Sequence, residues 1–383
     1  MYVTRPLSLY KEEPAAFSIP PPEGPYSGYL VIQDEEDATS CFGFCTETRI
    51  KHLPFPQNKD LTVSYTTSNG DSSTTYRDKV IFIPALNQPL SSDRYYVIRR
   101  EGKHQGEAST SSKKEDMGTC LCCTFIRDVK PRPLDQSDVF QQVEIIRKRY
   151  GFHAKSIVQD GFPPEFLRRK GWTVYKKTPK NYYLNEASGL NSSLRARLPD
   201  FSFPLANDCS ASVVIGKWYC PFMFVKEGMT LKDQMKTSVF YPMTLEQRWD
   251  KIFSQENTYG EEKVVHVDVV VHTEAVLIDG REAVWNKRNV VDDVLWFRGG
   301  DISVGLSLPI VERMKWEQQR VGWVGGDERQ VRIERVEEFG RTGMWKRFGC
   351  YVLVESFVLR RMSGSLVLKY DFKHTHEIRC KWE

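Results

Sequence analysis

The sequence predicts an α+β protein, with mixed N-terminal and middle regions followed by a C-terminal antiparallel β unit of long hairpins. Three observations lead there. The first is residues 264–278, VVHVDVVVHTEAVLI: Val265, Val267, Val269, Val271, Ala275 and Leu277 occupy odd positions, and His266, Asp268, His272 and Glu274 even ones. Such period-2 alternation marks a strand with one buried and one wetter face. At about 3.3 Å per residue the strand would span roughly 50 Å, and Asp279-Gly280 then suits the positive φ of a type I′ turn. The second is the closing pair, residues 350–361 and 365–382 around Ser363-Gly364. There Leu366, Leu368, Tyr370, Phe372, His374, His376, Ile378, Cys380 and Trp382 form one alternating row. The third is helical spacing in the middle of the chain. Val139, Val143, Ile146 and Tyr150 recur at i, i+4, i+7 and i+11, while Leu245, Trp249, Ile252 and Phe253 follow a Thr244/Gln247 capping box.

Taken in order, residues 1–30 are proline-rich and stiff, and residues 29–33 read as a strand. Further strands are expected at 61–65, 80–84 and 95–99. Residues 103–118 contain GEASTSSKKEDMG, the composition of a flexible polar loop. Pro163-Pro164 opens a short helix that ends in Arg168-Arg169-Lys170-Gly171, with proline in the first turn and cations at the C-terminus. A strand over 172–175, a short helix over 190–198 and a strand pair over 213–225 bent near Pro221 complete the middle. After 261 only strands are expected, among them 302–308 and 331–336. Composition divides the chain into regions 1–135, 136–260 and 261–383.

The 383 residues are 40% hydrophobic and include 21 Phe, 17 Tyr and 9 Trp, enough for a packed core rather than a disordered chain. A formal net charge of +4 argues against a nucleic-acid partner. No secretory signal opens the chain, Tyr2 excludes N-myristoylation, and no run of about 18 apolar residues exists to form a transmembrane helix. Nine cysteines without a signal read as reduced thiols, which suggests a cytoplasmic protein, peripheral at a membrane if it is acylated.

Several constellations carry chemistry. His266 and His272, and His374 and His376, lie on strand faces at spacings that can chelate a transition metal where strands converge. Cys120, Cys122 and Cys123 beside a lysine-bearing loop suit S-acylation. With Cys41 and Cys45 they offer a less regular zinc set. Cys209, Cys220, Cys350 and Cys380 read as isolated core thiols. Arg168, Arg169, Lys170, Lys176, Lys177, Lys180, Arg195 and Arg197, interleaved with Trp172, Tyr175, Tyr182 and Tyr183, form a basic segment suited to an anionic partner or membrane surface. Phosphate-loop, dinucleotide, nucleophile-elbow and zinc-protease motifs are absent, and no cofactor is implied.

MYVTRPLSLY, PPPEGPYSGYLVIQDEE, VKPRPLD, GFPPEFLRRKGW, GKWYCPFMFVKEG, LEQRWDKIF, ERMKWEQQRVGW and the terminal VLVESFVLRRMSGSLVLKYDFKHTHEIRCKWE resemble the plant family called domain of unknown function 1262. The resemblance implies an uncharacterised intracellular protein, with no site residues to carry over; some members bear an insecticidal-crystal-toxin-like label. The leading expectation is a non-enzymatic protein that binds a protein partner or an anionic membrane surface. The alternatives are a metal-dependent enzyme on the C-terminal histidine/carboxylate face, and a β-hairpin pore-former using the apolar row of residues 265–277.

Overall fold

The computed structural model describes every residue except 22–23, 35–38, 41–44, 47, 121–122, 259–262, 287, 326–328 and 342. Strands hold 48% of the residues and helices 15%, so the protein is mostly β and not α+β. Two segments expected as helices account for much of that correction. Residues 142–148 form a strand, Gln142–Lys148, with Val143 and Ile145 turned inward. Val143, Ile145 and Ile146 are β-branched, and that stiffness suits a pleated strand better than the helix their spacing also permits. Residues 244–253 lie within one long strand, Phe240–Glu256. Its inward row is Met243, Leu245, Gln247 and Trp249, so a buried glutamine disguised a period of two.

The chain divides into two compact units: Met1–Ala187 with Tyr219–Tyr241, and Ser188–Trp218 with Pro242–Glu383. Each unit joins separated stretches, whereas composition divides the chain into three consecutive regions.

The first unit contains a seven-stranded sheet. Its spatial order is Gly151–Ser156, Gln142–Lys148, Arg94–Arg99, Ser72–Pro84, Asp60–Asn69, Thr173–Lys177 and Arg49–Ile50. Neighbouring strands are antiparallel. Phe55, Phe82, Tyr95, Phe152 and Trp172 fill its core together with Val63, Val80 and Val97. Trp172 stacks on Phe82 with centroids 6.3 Å apart, and its indole N–H donates to the Leu167 carbonyl at 2.9 Å. That bond ties the short helix Glu165–Arg168 to the core. Within the segment expected to form a flexible loop, Lys103 and residues 113–115 stay exposed, but the middle is instead buried, with Ser109, Thr110, Ser111 and Ser112 all within 3% exposure. Their backbone N–H groups explain it: Ser109 donates to Val97, Ser111 to Phe140 and Ser112 to Phe162, each at 2.8 Å. A polar segment can be interior when its amides are satisfied in this way.

In the second unit the strand Phe240–Glu256, from Pro242 onward, is followed in one sheet by Arg347–Arg360, Leu366–Trp382, Glu274–Ile278 and Arg281–Glu282. The Asp279-Gly280 turn forms as expected, with φ of 50° and 73°. The 15-residue strand does not. It breaks at Thr273, whose N–H bonds the Arg329 carbonyl at 2.7 Å and whose carbonyl accepts from Lys373 N–H at 2.9 Å. Val264–His272 pairs with Gln330–Glu338 as a two-stranded ribbon, and Glu274–Ile278 joins the sheet. Burial changes parity at the break, from Val265, Val267 and Val271 to Glu274, Val276 and Ile278. The apolar row of residues 265–277 therefore does not continue on one face, which removes the geometry that suggested a pore-forming hairpin.

The row in the last strand is split for a related reason. Leu353 faces His374, but its neighbour Val352 faces Ile378. One step on Arg347–Arg360 thus spans four on Leu366–Trp382, leaving Thr375, His376 and Glu377 as extra residues in a bulge. Tyr370, Phe372 and His374 share the face of Leu353 and Phe357, while Ile378, Cys380 and Trp382 share the opposite face with Phe348, Cys350 and Val352. There they pack on Val265 and Val267 of the ribbon. The helix Leu308–Gln319 was not expected. The apolar alternation of 302–308 runs directly into it, and Pro309 sits in its first turn, where its missing N–H costs nothing.

Candidate functional site

Each unit has one cavity of note. In the first unit, the hairpin Asp60–Asn69/Ser72–Pro84 sets Tyr65 opposite Tyr76. Their rings stack at 5.0 Å with a 13° interplanar angle. Arg169 covers Tyr65 at 5.1 Å, whereas Tyr76 remains 45% exposed. Beside them lies a cavity of about 460 Å³, lined also by Asp78, Arg99, Lys103, Ser109, Lys130 and Phe166. Arg99 stands across the ladder from Val80, which places it beside Asp78 on the same face. Its guanidinium donates to Asp78 at 2.7 Å and lies 4.7 Å from the Phe166 ring centre. Burial, then the Asp78 and Glu165 carboxylates, raise the Tyr65 phenol above its ordinary value, so it remains a neutral hydroxyl at neutral pH.

The charges around this cavity do not balance. Asp78 pairs with Arg99, Glu101 with Lys79 at 2.8 Å, Asp128 with Arg168 at 3.2 Å and Glu165 with Arg169 at 2.9 Å. Every lining carboxylate is therefore engaged by a cation. Lys103 and Lys130 have no ion-pair partner among the described residues. Ser109 is 2% exposed, and its hydroxyl has no hydrogen-bond partner among the described residues. A buried hydroxyl left without a partner costs about 1–3 kcal/mol.

The second unit's cavity, about 380 Å³, is lined by His272, Glu274, Trp285, Arg329 and Gln330 among others. Glu274, Arg329 and His272 on its wall already have partners. Glu274 accepts from the Tyr370 hydroxyl at 2.7 Å and lies 3.4 Å from Lys315 Nζ. Arg329 donates to the Trp285 carbonyl at 3.1 Å and sits 3.8 Å above the Trp285 ring. His272 Nε2 lies 3.1 Å from the Gln330 amide.

The expected metal ligands are scattered. His266 and His272 are exposed on the ribbon. His374 is 1% exposed and its Nε2 meets the Gln318 Oε1 at 2.9 Å. His376 stands in the bulge, exposed, with its ring 5.5 Å from that of His374. Among the described residues no group of three or more His, Cys, Asp or Glu could hold a metal ion. Burial, more than any neighbouring charge, lowers the His374 imidazole to about 4.

Of the proposed acylation cysteines, Cys120 and Cys123 face each other across a short hairpin and Cys123 is exposed; Cys122 lies outside the described residues, as does Cys41. The basic segment divides between the units. Arg168 and Arg169 are at the first cavity, and Lys170, Lys177 and Lys180 are exposed, as is Arg197 in the second unit, while Lys176 is half-buried. Arg195 is a correction. It is 6% exposed and bonds Glu355 Oε1 at 2.9 Å and Glu317 Oε1 at 2.7 Å, so it is an internal counterion and not a surface contact. Sequence reasoning missed Ser109, because nothing in a Ser/Thr-rich run distinguishes an interior serine from a solvated one.

The comparisons with known proteins bear on the first unit. Residues 23–124 match the model of a family described as protein of unknown function (DUF1262). That stretch includes Tyr65, Tyr76, Arg99, Lys103 and Ser109. No curated protein matches the chain. Among solved structures, the crystal structure of Cry35Ab1 is similar at 10% identity and a TM-score of 0.47, over 86% of this chain and 90% of that one. Among the described residues no helix is long and apolar enough to cross a membrane.

Proposed function

We propose that the chain is a non-enzymatic binding protein whose ligand, a small organic anion with a flat ring, enters the cavity of the first unit. The observation that carries this reading is the buried Ser109 hydroxyl, a donor without an acceptor on the wall of a cavity of about 460 Å³. A ligand oxygen would satisfy it. Lys103 and Lys130 supply uncommitted positive charge at the same cavity, and the open side of Tyr76 supplies a stacking surface. The basic residues Arg168 and Arg169, expected to meet an anionic partner directly, hold Asp128 and Glu165 in place instead.

The test is a calorimetric titration of the full chain with phenyl phosphate and with benzoate, using benzyl alcohol as the neutral control. Saturable binding of either anion, weakened at least tenfold by Tyr76→Ala, is the expected outcome. Equal binding of the neutral control would refute the anionic preference. Absence of binding by all three would refute the cavity as a ligand site.

A further inference from the structure

The bulge that splits the last strand also aligns two thiols. Without the extra Thr375, His376 and Glu377, the ladder that sets Leu353 opposite His374 would carry Cys350 to face Glu377. With them, Cys350 faces Cys380. The kind of pairing can be read from the strand end. Arg347 and Glu383 exchange both backbone hydrogen bonds, at 3.0 and 2.9 Å. Such pairs alternate along an antiparallel ladder, so Gly349–Lys381 is the next hydrogen-bonded pair and Cys350–Cys380 is a non-hydrogen-bonded one. At those positions Cα atoms approach to about 4.5 Å, inside the roughly 4.4–6.8 Å range that a disulfide spans. Both thiols lie in one packed cluster with Phe348, Ile378 and Trp382. Both are free, Cys350 buried and Cys380 half-buried.

Access comes through Cys380, which is half-buried although its face packs on the ribbon. Glu274–Ile278 covers the far side of the Leu366–Trp382 strand only along Lys369–Phe372. Cys380 therefore lies on an open stretch of that edge among the described strands.

We infer that Cys350 and Cys380 form a redox modification site, closing a cross-strand disulfide when the protein meets a small hydroperoxide. The step balances. One thiol loses its proton and its sulfur attacks the O–O bond of hydrogen peroxide; an S–O bond forms, the O–O bond breaks, and hydroxide leaves with that proton as water. The second sulfur attacks the resulting sulfenic acid; the S–S bond forms, the S–O bond breaks, and the departing hydroxide takes the second thiol's proton. Two thiols lose two electrons, and the peroxide is reduced to two waters. A bulge of three residues thus places a reversible cross-link at the open end of the closing hairpin.

The experiment uses the full, fully reduced chain. After brief exposure to hydrogen peroxide, it is quenched in acid, denatured, alkylated and digested with trypsin. The expected product is a cross-linked species joining Phe348–Arg360 to Cys380–Lys381, which disappears on treatment with dithiothreitol. In Cys380→Ser, Cys350 should accumulate as the sulfenic acid, trapped by dimedone. Two outcomes would overturn the inference: both cysteines recovered fully alkylated, or both converted separately to sulfinic acids with no cross-linked species.

Discussion

One polar cluster in each unit can be compared by how its charges are paired. In the second, Arg195 bridges Glu317 and Glu355, Arg313 donates to the other Glu317 oxygen at 2.8 Å, and Gln247 donates to Glu355 at 2.8 Å. Each charge in that cluster meets an opposite charge, and each residue is at or below 6% exposure. A second group follows the same logic, with Arg248 bonded to Asp371 at 2.8 Å and Ser356 donating to Asp371 at 2.6 Å. In the first unit the cavity keeps a buried hydroxyl without an acceptor and two lysines without counterions. The contrast separates polar groups that hold a fold together from polar groups still available to a ligand. What differs between the two sites is charge pairing: each charge of the Arg195 cluster has a counterion, whereas Lys103 and Lys130 at the cavity have none among the described residues.

The largest expected effect is in the second unit. Removing one member of a buried ion pair leaves its partner charged in the interior and costs about 3–5 kcal/mol. Glu355→Ala should therefore lower urea stability by that amount, with Arg195 left to Glu317 alone. A loss below about 1 kcal/mol would mean the cluster is hydrated, and the contrast between the units would fail.

The units should also respond oppositely to pH. His374 has a folded value of about 4 against an ordinary 6.5, lowered chiefly by burial. Its contribution is complete above 6.5 and is lost as pH falls toward 4, a change of about 3 kcal/mol. Asp93, in the first unit, is raised from 3.8 to about 7, by burial first and Glu144 second. Its contribution is complete below 3.8 and is lost as pH rises toward 7. Hydrogen exchange in Arg347–Arg360 should therefore accelerate on acidification from pH 7 to 4.5, relative to chemistry at the bare amide, while exchange in Arg94–Arg99 should slow. Parallel responses in both strands would contradict the two assignments.

Ser109→Ala sharpens the comparison from the other side. Deleting a hydroxyl that has no partner should leave stability unchanged or raise it by about 1 kcal/mol, while weakening anion binding. A loss of stability would show that the hydroxyl has an acceptor after all. Smallest of all is the exposed Lys79–Glu101 pair, where Glu101→Gln should change stability by less than about 1 kcal/mol. The urea midpoint checks both.

How much of this was legible in the sequence depended on whether side-chain period and burial agreed. The Asp279-Gly280 turn, the hairpin around Ser363-Gly364 and the helix after Pro163-Pro164 could be read because turn and cap chemistry are local. The strand through Gln247 could not, since a glutamine that bonds Glu355 inside the sheet looks like a solvent-facing residue. Two parity changes were equally hidden: the break at Thr273 depends on the partner carbonyl of Arg329, and the bulge at 375–377 appears only against Arg347–Arg360. The candidate site was legible in part. Arg168 and Arg169 drew attention for their charge, but their role as counterions to Asp128 and Glu165 is tertiary. Ser109 lies in the least distinctive stretch of the chain, and its amide partner, Val97, is 12 residues away.

Amide hydrogen exchange of the full chain with and without phenyl phosphate tests the central claim most directly, because it reads both cavities at once. Binding in the first unit should protect residues 72–78 and 103–112 and leave 272–285 and 329–330 unchanged. Protection confined to 272–285 and 329–330 would place the ligand in the second unit and contradict the account. So would unchanged exchange throughout the chain at a concentration that saturates the calorimetric signal.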